Sequence, residues 1–385
     1  MPKISNLPPL TDDLEIADVL PMDDDSVADP SSPNKTKKIT LEQVRDFILG
    51  QFAVGVNQLI NGNFDVWQRG TSFTQNDDLY IVDRWNALQE ANSSWTFARD
   101  TSVPDAGSRY SLKCSNATAN NQCAIVTILE NADAQALLGQ NVSLSFYAKT
   151  TSLEISNLRA AILSWTGTAD SVTSDVISTW AQNGTNPTWA ANWTMENTPA
   201  NLALTNSYQK FTIENVAIDT AGMKNLAVVI WVDDGTIASG DDFWISQVML
   251  NTGGTAADFV ARPYAQELEM CQRYCLVRQT AGTAQTTVTG TGNAAGTTRI
   301  WAPVANTTPF RTSPALTATA ADWQGANGVD AGIDATAIAM CADPAGTEAN
   351  PYIQITFGSG STSKTPYVIR GDGGSNRTLI YDAEL

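Results

Sequence analysis

The residues best placed to do chemistry in this chain are tryptophans. There are 11 among 385 residues, and Trp180, Trp189 and Trp193 fall together in one polar, turn-rich stretch, Thr179–Thr198 (TWAQNGTNPTWAANWTMENT). An indole flanked by Asn and Thr can stack on a sugar ring while its neighbours hydrogen-bond the hydroxyls. These three are the candidate glycan contacts. The plainer alternatives are a loop that packs its own tryptophans, or a subunit interface. Trp67, Trp85, Trp95, Trp165, Trp231 and Trp244 lie on strand-like patterns and are expected in the core.

Other chemistry is poorly supplied. Asp77-Asp78 with Asp83, Asp233-Asp234 and Asp241-Asp242 offer the oxygen ligands that Ca²⁺ takes, but in no EF-hand spacing. Solvated turn carboxylates explain them as well, so a metal stays open and no cofactor is expected. Forty Asp and Glu make some close pair inevitable, so a glycosidase pair is not signalled by the acids alone. Nor does the chain show the repeat of roughly 20–25 residues expected of a β-solenoid. Histidine is absent, which removes Ser-His-Asp and Cys-His catalysis and the commonest general base. Cys114, Cys123, Cys271, Cys275 and Cys341 are odd in number, contain no C-x-x-C, and read as buried free thiols. The Gly-rich pieces Gly371-Asp-Gly-Gly-Ser and Gly358-Ser-Gly-Ser-Thr carry no P-loop lysine and open no helix; they read as turns. The expectation is a binding protein, not an enzyme.

Composition narrows the partners. Net charge is −18 with only 16% charged residues, and 43% are hydrophobic. No Lys/Arg cluster offsets the repulsion a phosphate backbone would meet, so nucleic acid is not an expected partner. No apolar run reaches about 18 residues, and MPKISNLPPLTDD has no apolar signal core, so membrane insertion is not expected and synthesis is expected in a cytoplasm.

The elements that must hold these residues are mostly β. Residues 1–50 form a small module. Asp18–Asp23 is a short strand, Asp23–Asn34 an acidic loop, and Thr40 caps a helix whose apolar stripe is Leu41, Val44, Phe47 and Ile48. A module this small buries little area alone, so the stripe is expected to pack on an oligomer neighbour. Residues 51–265 carry β-branched and aromatic runs bounded by Asn, Asp and Gly, read as one β-sandwich: Ser94–Arg99, Cys123–Leu129, Asn141–Ala148, Ala160–Trp165, Gln209–Val216, Leu226–Val232 and Phe243–Met249. Residues 266–385 open on helix formers and continue as a second β-sandwich, with strands at Ile300–Val304, Ala315–Thr319, Tyr352–Phe357 and Leu379–Ala383. Asn61–Trp85 (NGNFDVWQRGTSFTQNDDLYIVDRW) reads as strand, polar turn and strand, with a bulge or two-sided burial near Asp65.

That segment resembles the opening strands of a jelly-roll domain in tail-fibre and other virion proteins of tailed bacteriophages. Phe259–Cys275 (FVARPYAQELEMCQRYC) resembles the segment that closes that jelly roll, and Leu137–Lys149 with Asp241–Leu250 resembles carbohydrate-binding-module-like jelly rolls. The layout of residues 1–50 is similar to virion-anchoring segments, and the final Asp-Ala-Glu-Leu to the close of such fibres. The resemblance implies a homotrimeric tail fibre on the virion. It would dock to another virion protein of tail or head through residues 1–50 and bind a host-surface polysaccharide without catalysis. A head fibre or capsid decoration is the alternative, and a glycan depolymerase the third reading.

Overall fold

The computed structural model describes residues 19–23, 36–40, 56–74, 77–152, 154–280, 287–294, 298–327, 332–341, 351–358, 360–361, 365–372 and 377–385. The chain forms two compact units, Met1–Val56 and Asn57–Leu385. In the first, Val19–Asp23 pairs antiparallel with Thr36–Thr40, with Val19 opposite Thr40 and Asp23 opposite Thr36. The predicted helix, with Leu41, Val44, Phe47 and Ile48, lies outside the described residues.

The second unit is built of antiparallel sheets. A front sheet of six strands runs Gln209–Ala217, Asn141–Thr150, Asp242–Thr252, Ser111–Asn116, Trp95–Asp100 and Ser72–Phe73 in spatial order. A back sheet runs Trp193–Met195, Asn157–Trp165, Asn225–Val232, Cys123–Leu129, Asn86–Gln89 and Leu79–Tyr80, with Leu202–Ala203 also paired to Asn157–Trp165. From Ser111 to Thr252 each successive long strand changes sheet. This wrapping makes the pair a jelly roll. Phe97, Leu112, Phe146 and Phe243 of the front sheet meet Ile125, Ile162, Val228 and Ile230 of the back sheet in one core.

The residue types account for the two sheets. CAIVTIL and NLAVVIWV are apolar at every step, and every position of Cys123–Leu129 and Asn225–Val232 is buried. A continuous apolar run needs cover on both faces. Gln209–Ala217 alternates and takes the front edge. Ser111–Asn116 is a strand that the sequence reading passed over, because its alternation is carried by Leu112 and Cys114 among polar residues.

The C-terminal part is a second sandwich. Cys275–Gln279, Thr378–Asp382 and Ala315–Thr317 form one sheet, and a seven-stranded sheet centred on Thr287–Ala294 forms the other. Leu276, Phe310, Trp323, Ile353, Ile369 and Tyr381 fill the space between them. Tyr264–Gln272 is helical, as its composition predicts, and leads into this sandwich.

Asn61–Trp85 departs from its expected form. Only Ser72–Phe73 and Leu79–Tyr80 are strands, and Asn61 and Phe64 have φ of 57° and 53°. The start of the segment is a buried plug held by one carboxamide. Asn61 donates through Nδ2 to the carbonyls of Val66 and Asp83 and accepts at Oδ1 from the amides of Asp65 and Val66. Those four bonds replace the ladder a strand would have supplied. The plug sits on a bulge in Asp242–Thr252, where Val248 donates to the Gly62 carbonyl. A Cβ on Gly62 would lie 2.0 Å from the Val248 oxygen, so only glycine fits.

The three stretches that carry the family resemblance converge. Arg84 and Arg69 both pair with Glu384, and Arg69 also reaches Asp382 at 3.3 Å. Arg84 donates to the Ile128 carbonyl and lies 3.6 Å over the Tyr274 ring. Gln68 Nε2 donates to the Cys275 carbonyl (2.7 Å) and to Asp83 (2.6 Å), and Tyr80 donates to the Leu385 carbonyl. Glu267 accepts from the Asn61 amide and from Arg262, which in turn binds the carbonyls of Asn57 and Leu59. Arg311 closes the seam on the carbonyls of Ala383 and Glu384.

Breaking one partner of a buried pair strands the other charge, at a cost of about 3–5 kcal/mol. Arg84→Ala and Glu384→Ala are each expected to lose stability on that scale in chemical denaturation. The double variant should lose less than the sum of the two. Asp83 gives a pH signature. Burial pushes its carboxyl up to about 6, with Arg69 and the Gln68 bonds opposing. An unfolded Asp titrates near 3.9. Between about pH 4 and 6 the folded chain therefore holds a proton the unfolded chain has lost, and this group's contribution falls as pH rises. Relative to Asp83→Asn, the wild-type chain should lose about 2 kcal/mol between pH 4 and 7. Parallel curves would exclude that role.

Candidate functional site

The back sheet presents Ala124, Val126, Ile128, Leu163, Trp165, Val229 and Trp231 outward, away from the sandwich core. A flap formed by residues 166–198 covers this apolar face. Val176, Ile177 and Trp193 join the cluster as buried members, with Trp180 and Trp189 packed against it. Trp193 is 6% exposed, its ring lies 5.2 Å from that of Trp165, and its indole N–H donates to the Thr173 carbonyl. It has no open face for a sugar, and its assignment as a glycan contact is corrected to core. Trp189 stands edge-on to Trp231 at 5.6 Å and is half-buried, as is Trp180. The reason lies beneath the flap. A sheet that is apolar on both faces must be covered twice, and the tryptophans in the polar stretch are the cover.

The outer face of the front sheet is of the opposite character. Phe243 and Ile245 point into the core, so Trp244 between them points out. Its cross-strand neighbours are Lys113 on one side and Lys149 on the other. The two ammonium groups lie 5.1 and 4.8 Å from the indole centroid, within the range of a cation–π contact. Lys149 also lies 4.9 Å over the Tyr208 ring. Tyr147 lies on the same outer face of the neighbouring strand, two residues before Lys149, and is half-buried. The indole N–H of Trp244 is buried without a protein partner, as is that of Trp189.

Polar groups frame this row. Lys113 pairs with Asp242 at 2.7 Å. Lys149 donates to Ser102 Oγ at 2.6 Å, and Tyr208 donates to the Ser102 carbonyl at the same distance. Toward the far end of the sheet, Ser143 and Ser145 donate to the carbonyls of Gly253 and Ala257, which closes that part of the face. What remains partly exposed, over a floor formed by the 7%-exposed Trp244, is a row of Tyr147, Tyr208, Lys113 and Lys149 with the hydroxyls beside them. It can stack on a flat ring and hydrogen-bond substituents around it. Trp244 is buried, as its apolar strand predicts, but on the outer side of the sheet under Lys113 and Lys149. The usable signal was the polar alternation of its neighbours, Lys113 between Leu112 and Cys114, and Tyr147 and Lys149 on either side of Ala148.

The acidic candidates serve turns and ion pairs. Asp234 accepts from the amides of Ser156 and Asn157, Asp233 from the Gly184 amide, and Asp241 from the Ala238 amide. Asp77 accepts from the Gln89 amide, and Asp78 from Asn86 and Ser174. Among the described residues no group of three or more potential metal ligands converges. Asp175, on the flap, is pushed up to about 6 by burial and by the nearby charges of Asp77 and Asp78. The five cysteines are buried and form no disulfide with one another.

No family model and no curated protein matches the chain. Several solved structures are similar in fold over about half of it. The enzymatically active domain of bacteriophage CBA120 tailspike protein 4 is 14% identical with a TM-score of 0.31, over 51% of this chain and 22% of that one. TmCBM61, solved with β-1,4-galactotriose, is 11% identical with a TM-score of 0.31, over 51% of this chain and 99% of that one. A putative sugar-binding protein from Bacteroides thetaiotaomicron is 16% identical with a TM-score of 0.32, over 51% and 100% of the two chains.

The flap assignment separates two tryptophans by stability. Trp193→Ala should cost about 3–5 kcal/mol in urea denaturation, as expected for a large core aromatic. Trp189→Ala, being half-exposed, should cost less than half as much. Equal small losses would mean that the flap does not pack as described.

Proposed function

We propose that this protein is a non-catalytic, carbohydrate-binding appendage of a tailed-bacteriophage virion, acting as a homotrimeric tail fibre. The observation that carries the binding part is the open outer face of the front sheet. Tyr208 and Tyr147 lie there, half-buried, beside Lys113, Lys149 and Asp242 and over the buried Trp244. Rings on a rigid sheet lose little entropy on contact, and the polar groups around them read hydroxyl positions. Trp180 and Trp189 remain a secondary contact on the flap. The virion assignment rests on the resemblance of Asn61–Trp85, Phe259–Cys275 and the closing Asp-Ala-Glu-Leu. In this reading residues 1–50 dock to a tail or head protein. Trimeric display turns a weak single-site affinity into avidity.

The reading assigns no reaction. The chain has no histidine. The buried carboxyl raised in the seam, Asp83, is 0% exposed and engaged by Gln68. Asp175 is the group to watch if reducing sugar is released.

The test is binding of the full-length, labelled protein to host cells and to their purified surface polysaccharide, in competition with phage adsorption. Saturable binding that blocks adsorption is expected. Tyr208→Ala should weaken it about tenfold, on the scale of one lost aromatic contact, and more than Trp189→Ala does. Binding lost only in the Trp189 variant would move the site to the flap. Absence of binding by a folded oligomer would favour a head fibre or decoration role, and release of reducing ends would make the protein a depolymerase.

A further inference from the structure

The front face carries an imbalance that points to the charge of its ligand. The chain is strongly acidic, at −18, and has only five lysines beyond residue 56. Three of them, Lys113, Lys149 and Lys210, lie on this one face. Lys113 is neutralised by Asp242, and Lys210 by Asp258, each at 2.7 Å. Lys149 is not. Among the described residues its ammonium meets only neutral groups: Ser102 Oγ and the faces of Trp244 and Tyr208. It is half-buried, so it has given up part of its hydration without gaining a counter-ion. One ligand group answers this: an anionic oxygen pair set against Lys149, beside the rings of Tyr208 and Tyr147.

Building on the proposed glycan reading, we propose that the ligand of this face is an acidic polysaccharide and that Lys149 is the counter-ion of its sugar-borne anion. The rings of Tyr147 and Tyr208 supply the stacking surface, and the Asp242–Lys113 pair and Ser102 take hydroxyls. Asp242 also sets the orientation, because an anion placed on the Lys113 side of Trp244 would face its carboxylate. A neutral glycan uses the same rings but leaves Lys149 uncompensated.

The experiment is affinity electrophoresis or titration of the full-length protein against matched polysaccharide pairs. Polygalacturonate and polysialic acid are each compared with their carboxyl-reduced forms, and dextran sulfate with dextran. At least one charged member should bind about tenfold or more tightly than its neutral partner, the scale of one charge-assisted hydrogen bond. That preference should shrink as salt is raised. Lys149→Gln should remove the preference by weakening the charged form's binding to the level of the neutral form's, and Lys149→Arg should retain it. A preference seen only with dextran sulfate would assign the anion as a sulfate ester, and one seen with the polyuronate or polysialate as a carboxylate. Equal binding of charged and neutral partners, or a preference that survives Lys149→Gln, would overturn the inference while the glycan reading stands. No binding to any member, together with no binding to host polysaccharide, would overturn both.

Discussion

The structure depends on one buried charge. Arg84 is 2% exposed, and its guanidinium is held by Glu384, the Ile128 carbonyl and the Tyr274 ring. Each contact comes from a different part of the chain: the back sheet, the end of the helical join, and the close of the C-terminal sandwich. A desolvated guanidinium is tolerable only when all its partners are present. The jelly roll and the C-terminal sandwich are therefore fixed to each other by a condition on polar satisfaction as well as by apolar area. This explains the Arg, Asp, Asn and Glu that Asn61–Trp85, Phe259–Cys275 and Tyr381–Leu385 bring to their buried positions, among them Asn61, Asp83, Arg84 and Glu267. They are three sides of one seam.

With that seam fixed, the two sheets of the jelly roll are free to differ on their outer faces. The back sheet is apolar outside as well as inside, and the flap of residues 166–198 turns that face into a second core. The front sheet is apolar inside and polar outside, and only part of it is closed, by Gly253–Ala257. Chain length spent on covering one face leaves the other accessible. The accessible one carries the aromatic and cationic row.

This division also fits the chemistry the chain lacks. The chain has no histidine, and the acidic pairs Asp77-Asp78, Asp233-Asp234 and Asp241-Asp242 bond turn amides and neighbouring side chains. Binding surfaces of this kind gain from rigidity, since entropy lost on contact subtracts from affinity. Trp244 sits between two ladders in the middle of the front sheet, where its backbone is among the most constrained in the fold.

Sequence alone determined the class and most strands. Runs such as CAIVTIL, NVSLSFYA and NLAVVIWV have no other economical reading, because β-branched and aromatic residues between turn formers specify paired strands. It also determined the absence of histidine chemistry and the charge balance. Three things it left to tertiary structure. Asn61–Gln68 looks like a strand, but a single carboxamide bonding four backbone groups holds it as a plug, and nothing local announces those partners. The polar stretch with Trp180, Trp189 and Trp193 looks like exposed recognition loop, but the apolar outer face under it is known only once the sheets are stacked. The side of the sheet on which Trp244 is buried is the third, since Phe243-Trp244-Ile245 is apolar at both parities. Only the register against Ser111–Asn116 and Asn141–Thr150 decides which of them faces out, because a one-residue slip exchanges the two faces of a strand.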